Sequence, residues 1–233
     1  MNKPIVVKLG GSVVSREGVL FDFEYLTQLR AIVEKRIEQD DSFCFILGGG
    51  ATMRHYRDLA KAAGITERDQ HWIGTTVNVL HAEIARSFFS DIAEERPVIY
   101  EQYYDDKHID MKKPLLFGGG GRPGHSGDVD AILMADKVGA TTVVSFKNID
   151  YLYTADPKTD PKAEKVIEAT WEEYFSIIGN KDSHEPGGNY IVDPVASKMA
   201  SERNYRFVIL EGTNLENIEN YFNGEDFSGS VIG

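Results

Sequence analysis

The chain of 233 residues is 42% apolar and 27% charged, values that are ordinary for a globular protein and do not indicate disorder. Its formal net charge of −12 disfavours nucleic acid and anionic membranes as partners. No apolar run reaches membrane-spanning length and the N-terminus has no signal-peptide pattern, so we expect a cytoplasmic protein.

In chain order, short apolar runs alternate with stretches of helical spacing as far as about residue 147. Strands are predicted for residues 4–9, 43–47, 97–100, 114–117 and 142–146. Helices are predicted for about 21–39, 52–63, 72–93 and 128–138. Strands that alternate with helices and end at glycines predict a mostly parallel sheet covered on both faces. We therefore expect an α/β fold, a three-layer α/β/α sandwich with a mainly parallel central sheet.

Beyond residue 147 the pattern changes. A hairpin or surface loop is predicted from about 151 and a polar loop for 179–188. Helices are expected for 171–178, 193–203 and 215–222, and strands for 207–210 and 230–232. With no repeat or clear linker, 1–233 should form a single domain. We expect an acceptor-binding half at about 1–140 and an ATP-binding half at about 141–233.

The positions of the cysteine and histidine residues do not predict a metal site. Cys44 is the one cysteine of the sequence, and its apolar neighbours predict a buried core thiol rather than a nucleophile. His71, His81, His108 and His184 lack the paired spacing of metal ligands and are interpreted as surface or helix-face residues.

Three glycine-rich turns each follow a short apolar run and precede a stretch of helical spacing. The first glycine turn is 10–12, the second is 48–50 and the third is 118–124. Without a Cβ, backbone N–H groups approach an anion closely and form a concave nest. Three such turns predict a site for a chain of phosphates at converging strand ends and helix N-termini.

Lys8 and Arg54 accompany the first two turns. An ammonium group beside a backbone nest suits phosphoryl transfer, because charge on the migrating oxygens must be neutralised without covalent help. Lys8 can also be a strand-end lysine that reaches solvent. Arg54, one turn into the next helix, can contact a phosphate there or be an exposed arginine after a tight turn. The residues alone leave these alternatives open.

The segment 118–128 is richer, since Arg122, His125, Ser126 and Asp128 accompany its glycines. An aspartate at a helix start is usually a cap, but capping does not explain the run of glycines, which favours ligand binding. Asp193 before Pro194 can cap the last long helix or orient a catalytic lysine, and capping is the better interpretation. Neither a Walker-type phosphate motif nor a dinucleotide turn in its βαβ place is present.

Taken in order, these segments resemble the amino acid kinase superfamily, and within it the archaeal-type uridylate (UMP) kinases. The likeness covers nearly the whole chain and rests on the order and spacing of the motifs. They are 7–12, 48–50 with Arg54 and Tyr56, 72–74, 123–128, 148–150, 153–157, 192–196 and 229–232.

The resemblance implies in-line transfer of the γ-phosphoryl group of ATP to UMP, giving UDP and ADP, in pyrimidine biosynthesis. Mg²⁺ would be held mainly by the ATP phosphates. A homo-oligomer is also implied, with a hexamer as its expected form.

Residue roles follow from the same likeness. Catalysis is assigned to Lys8, Asp128 and Asp193. ATP binding is assigned to Gly10, Gly11, Ser12, Gly50, Arg54, Lys147, Tyr153 and Asp156, the last three at the adenine and ribose. Acceptor binding is assigned to Gly49, His71, Gly121, Arg122, Pro123, Gly124, His125, Ser126 and Gly127.

The acceptor region departs from the family pattern. The family's aspartate for the acceptor ribose falls at His71, whose neutral imidazole can accept one hydrogen bond but carries no negative charge. Asp69 would substitute if the loop were shifted. Asn78 and His81 replace the usual residues on the following helix, and Tyr151 stands where the family has a small residue.

Two rival functions stay open. A related kinase would phosphorylate another small acid or phosphate, such as an amino acid, carbamate or isopentenyl phosphate. For isopentenyl phosphate a histidine would be expected in place of Leu47, before the second glycine turn. A nucleotide-binding sensor or storage subunit would share the fold without turnover, although Lys8 and Asp128 argue against that loss.

Overall fold

The computed structural model describes residues 3–179 and 190–233. Its strands are β1 (Ile5–Leu9), β2 (Phe43–Leu47), β3 (Leu115–Gly118), β4 (Thr142–Lys147), β5 (Leu152–Tyr153), β6 (Lys165–Val166), β7 (Glu168–Ala169), β8 (Arg206–Glu211) and β9 (Ser230–Ile232). In the part described, seven of them form one sheet in the order β3-β2-β1-β4-β8-β9-β7, while β5 and β6 form a separate antiparallel pair. The predicted α/β fold with a mainly parallel sheet is confirmed.

Helices cover both faces of this sheet. They are α1 (Gly11–Val14), α2 (Phe23–Ile37), α3 (Gly50–Ala62), α4 (Glu67–Phe88), α5 (Gly127–Val138), α6 (Trp171–Ile178), α7 (Pro194–Glu202) and α8 (Leu215–Asn223). Residues of α1, α2, α4 and α8 share one hydrophobic core, and residues of α5, α6 and α7 share the other. Because consecutive strand residues face opposite sides, Val6 and Val7 enter different cores. Cys44 is fully buried, as predicted.

Four neighbouring parallel strands bring the glycine turns to one edge of the sheet. Lys8 lies level with Ile46 of β2 and Ser145 of β4, so these strands end at similar heights. The Gly48 N–H donates to the Leu9 carbonyl at 3.1 Å, and the Gly10 N–H donates to the Phe146 carbonyl at 3.0 Å. The turns after β1, β2 and β3 therefore meet at the carboxyl edge, the usual ligand-binding edge of such sheets.

Two predicted elements are corrected. The strand expected at 97–100 is absent from the described structure, where Val98 makes an isolated bridge to Gly118. Tyr100 takes a positive φ of 48° and begins a 3₁₀ turn, Tyr100–Tyr103. Helix α4 spans 67–88 rather than about 72–93, because Thr66 caps it by accepting the Asp69 N–H at 3.3 Å.

The hairpin predicted after residue 150 is confirmed by the pairing of β5 with β6. The predicted polar loop at 179–188 and His184 lie outside the described residues, except for Gly179, which ends α6. Over the described ranges, no helix combines the length and the hydropathy needed to cross a membrane.

Candidate active site

A cleft of about 940 Å³ opens at the carboxyl edge of the sheet. All three glycine turns contribute to its wall, and β4 contributes Lys147. Helices α3 and α5 begin at this edge, so their N-terminal N–H groups lie beside the cleft. The volume is near the upper limit of ordinary ligand pockets.

A single carboxylate at the centre of this edge holds two ammonium groups. Asp128, in the first turn of α5, is 5% exposed. Its oxygens lie 3.2 Å from Lys147 Nζ and 3.5 Å from Lys8 Nζ. The Asp193 N–H donates to the same carboxylate at 3.1 Å. Strands β1 and β4, helix α5 and the start of α7 are thereby joined at one point.

The charges of this cluster are set by burial and by its neighbours. Burial raises the pKa of Asp128, but Lys147, Lys8 and the Asp193 N–H outweigh burial and hold that pKa at about 2. Burial also lowers the pKa of Lys147 to about 8, and the attraction of Asp128 limits the fall. Two ammonium groups therefore lie on one carboxylate at this edge, an arrangement suited to phosphate oxygens.

The first two glycine turns touch backbone to backbone. A Cβ on Gly11 would lie 2.1 Å from the Gly50 nitrogen, and a Cβ on Gly50 would lie 2.2 Å from the Gly11 carbonyl oxygen. Gly50 also has a φ of +53°, which L side chains rarely adopt. Only glycine at both positions allows this approach, which fixes the spacing of the two turns.

The third glycine turn is divided in its contacts. Its residues 118–123 do not line the cleft, whereas Gly124 and the following residues 125–127 do. The Gly121 N–H donates to Asp130 Oδ2 and the Arg122 N–H donates to Tyr104 Oη, both at 3.1 Å. The Arg122 guanidinium donates to Glu101 at 2.7 Å. Arg122, which the sequence assigned to the acceptor, is thus engaged by the protein itself.

One wall of the cleft is polar and partly cationic. It consists of Met53, Arg54, Arg57, Gln70, His71, Gly74, Thr75 and Asn78. His71 lines the cleft, whereas Asp69 accepts a hydrogen bond from Thr66 at 2.8 Å in the cap of α4. Asn78 Oδ1 is buried beside Gly49 without a hydrogen-bond partner among the described residues. His81 is buried, with Nδ1 2.8 Å from the Gly48 carbonyl oxygen.

The opposite wall is more apolar. It includes Ile149, Leu152, Tyr153, Asp156, Ile177, Ile178 and Ile191. The Tyr153 hydroxyl donates to Asp150 at 2.9 Å, and Asp156 accepts the Lys158 N–H at 2.9 Å, so both side chains order the local loop. Lys147 was expected here, at the adenine and ribose, but its ammonium group lies on Asp128 at the centre.

The cleft therefore gathers most of the predicted site residues. Those that line it are Lys8, Gly10, Gly11, Ser12, Gly49, Gly50, Arg54, His71, Gly124, His125, Ser126, Gly127, Lys147, Tyr153 and Asp156. Asp128 and Asp193 lie behind them, and Asp193 also accepts the N–H groups of Val195 and Ala196 as the cap of α7. Arg57 was not predicted, although its three-residue spacing from Arg54 places both on one side of α3.

A strand-edge cleft with glycine nests and a lysine-bound carboxylate defines an α/β protein that handles phosphorylated ligands. Residues 3–211 match the Amino acid kinase family, and the chain belongs to that family. It is therefore a kinase, a phosphotransferase.

Similar proteins and structures extend over the whole chain. Uridylate kinase of Archaeoglobus fulgidus is 28% identical over 98% of this chain and 99% of its own length. Uridylate kinase of Thermococcus kodakarensis is 26% identical over 98% of each. The crystal structure of the Archaeoglobus fulgidus uridylate kinase superposes with a TM-score of 0.79 at 26% identity, covering 99% of this chain and 100% of that one.

Proposed function

We propose that this kinase transfers the γ-phosphoryl group of ATP to UMP, giving UDP and ADP. The observation that carries the proposal is the pair of ammonium groups on Asp128, placed between a polar, cationic wall and an apolar wall. The similar archaeal proteins named uridylate kinase support UMP as the acceptor.

In the proposed step an oxygen of the UMP phosphate attacks the γ-phosphorus of ATP. The bond from that phosphorus to the bridging oxygen breaks, and ADP leaves with the electron pair. Lys8 and Lys147 neutralise charge on the transferring group, while positioning replaces covalent catalysis. Asp128 holds the two lysines in place. With a pKa of about 2 and its oxygens engaged by hydrogen bonds, it is suited to that task and not to proton abstraction.

The two substrates would occupy opposite walls. The first glycine turn, Gly50 and Arg54 would contact the ATP phosphates, and the apolar wall with Tyr153 and Asp156 would take adenine and ribose. Gly49, His71 and residues 124–127 would take the acceptor. Asp193 would act as a positioning residue, because it contacts Asp128 through its backbone. Gly121, Arg122 and Pro123 would support this loop from behind.

The residues present fit a Mg²⁺ ion that arrives with ATP. Within residues 3–179 and 190–233, no group of three or more His, Cys, Asp or Glu is placed to hold a metal ion. Magnesium at phosphates needs few protein ligands, so a substrate-borne ion suits this cleft. When bound, the ion neutralises charge on the phosphates of ATP.

The test is a panel of nucleoside monophosphates incubated with Mg-ATP, with products separated by chromatography. We expect UDP to form with the highest kcat/KM of the panel. A better acceptor than UMP would replace the assignment with a related kinase. ATP binding without any phosphorylated product would favour a sensor or storage subunit.

We also propose that the chain forms a homo-oligomer in the cytoplasm and serves pyrimidine biosynthesis. Large apolar side chains at the start of α2 and on α4 support self-association: Leu20 is 75% exposed, Phe23 is 51% exposed and Leu80 is 49% exposed. Sedimentation analysis should give a mass several times that of one chain, with six chains expected. A monomer at micromolar concentration would contradict this proposal.

A further inference from the structure

The 3₁₀ turn and its next residues lie against the third glycine turn. The Tyr100 N–H donates to the Gly120 carbonyl at 2.9 Å. At the other end, the buried Lys137 of α5 donates to the carbonyls of Asp105 and Lys107 at 2.7 and 3.2 Å. The segment 100–107 is therefore anchored at both ends, and it holds Tyr104 beside the loop that enters the cleft.

Tyr104 contacts this loop in three ways. The Arg122 guanidinium carbon lies 3.9 Å from the centroid of the Tyr104 ring, a cation–π contact. The Tyr104 Oη accepts the Arg122 N–H at 3.1 Å. The same Oη lies 2.7 Å from Nδ1 of His125, which lines the cleft. One side chain thus joins the part of the loop that faces the protein to the part that faces the ligand.

These contacts bear on the tautomer of His125. The Tyr104 hydroxyl has one proton, and in the part of the chain described its one acceptor in hydrogen-bond range is Nδ1 of His125. A hydroxyl that donates to Nδ1 leaves the ring proton of a neutral imidazole on Nε2. Burial and the charge of Arg122 lower the pKa of His125, which keeps the ring neutral at pH 7 against the opposing effect of Asp193.

We propose that Tyr104 is a positioning residue for the acceptor, acting through His125, which it fixes as the tautomer that carries a hydrogen-bond donor at Nε2. The proposal rests on the proposed function, in which residues 124–127 receive the acceptor phosphate. A neutral N–H donor held in one orientation suits an anionic oxygen, because the side chain loses little conformational entropy when the ligand binds.

The first test needs no turnover. Nitrogen-15 NMR of the imidazole rings should show His125 as the Nε2–H tautomer, with the signal assigned by its loss in His125→Gln. In Tyr104→Phe, His125 should become a mixture of the Nε2–H and Nδ1–H tautomers. An Nδ1–H tautomer in the unsubstituted chain, or an unchanged spectrum in Tyr104→Phe, overturns the proposal.

The second test is kinetic. Tyr104→Phe should raise the KM for UMP by about tenfold, the effect of a weakened hydrogen bond to an anion, and change the KM for ATP less than about twofold. In a His125→Ala background the same change should add nothing further to the KM for UMP. Tyr103→Phe is the matched control: its hydroxyl is buried and without a partner in the described structure, so the KM for UMP should not change.

The outcomes separate the two proposals. If the unsubstituted chain forms no UDP, the proposed function fails, and the tautomer spectrum alone decides the role of Tyr104. If UDP forms and Tyr104→Phe raises both KM values equally, or adds its full effect to that of His125→Ala, Tyr104 has a structural role and the positioning proposal is overturned.

Discussion

Nζ of Lys147 lies 3.2 Å from Oδ2 of Asp128, which links the last residue of β4 to the first turn of α5. The helix runs away from the carboxyl edge of the sheet and the next strand returns to it, so the two residues meet although a whole helix and strand separate them. The contact lowers the energy of a buried ammonium group that would otherwise tend to lose its proton.

This relationship predicts the alkaline side of the pH profile. Lys147 has a pKa of about 8, and its proposed role requires the protonated ammonium group, so kcat/KM for ATP should fall as the pH rises through about 8. Asp128→Asn removes the attraction that raises this pKa, so the fall should move to lower pH. Initial rates between pH 6 and 10 measure both. Asp136 lies on α5, as Asp128 does, but forms a surface ion pair with Arg203, so Asp136→Asn should leave the pH profile unchanged. A pH profile that does not move in Asp128→Asn would contradict the assignment.

Lys8→Ala should reduce kcat by about 10²- to 10³-fold, because an electrostatic contact to the transferring group is lost. The fold should persist, since the Lys8 side chain lies at a strand end beside the cleft. Circular dichroism and rate measurements on the same sample separate the two effects. Lys35→Ala provides the control: Lys35 is 64% exposed and pairs with Glu219 on the surface. Full activity in Lys8→Ala would remove Lys8 from the mechanism.

Asp130 predicts a pH-dependent stability. Burial raises the pKa of Asp130 to about 7, and the nearby Asp128 adds to that effect against the Gly121 N–H. Between about pH 4 and 7 the unfolded chain has released this proton while the folded chain keeps it. The contribution of Asp130 to stability is therefore complete below about pH 4, falls as the pH rises, and is lost above about 7.

Asp130→Asn cannot ionise, so its stability relative to the unsubstituted chain should increase from pH 4 to 7, by up to about 4 kcal/mol. Urea unfolding at several pH values measures the difference. Asp226→Asn, at an exposed position, should give a difference close to zero throughout. A difference for Asp130→Asn that stays constant with pH would show that the carboxyl group ionises normally in the folded chain.

Gly11→Ala should lower the free energy of unfolding by about 3 kcal/mol, because its Cβ would overlap the Gly50 nitrogen and neither backbone can yield alone. Gly127→Ala tests the alternative that any added methyl group at this edge destabilises the fold. Its Cβ would lie 3.5 Å from Lys8 Cε, an ordinary contact distance, so the midpoint temperature of thermal unfolding should not change. Equal destabilisation of the two variants would argue against the specific contact between the turns.

The central strands and the convergence of the glycine turns could be predicted because both depend on local pattern. Buried β-branched runs that end at glycines show strand ends directly, and parallel strands must bring those ends to one edge. The prediction of a strand at 97–100 was wrong. Val98 makes an isolated bridge instead of a ladder of strand hydrogen bonds, and the positive φ of Tyr100 turns the chain away from the sheet.

The contacts that side chains make across the cleft could not be predicted. Arg122 lies in a glycine turn, as a phosphate ligand would, yet it pairs with Glu101 of the 3₁₀ turn. Lys147 likewise ends a strand as Lys8 does, but its partner depends on how α5 packs. Such choices are decided by tertiary geometry, which residue spacing along the chain does not encode.

The close approach of Gly11 to Gly50 has a consequence for how this scaffold can change. The spacing of these two turns is set by main-chain atoms, which side-chain substitutions elsewhere leave untouched. Side chains of the polar wall, such as His71 or Asn78, can then be exchanged while the spacing of the two turns stays constant.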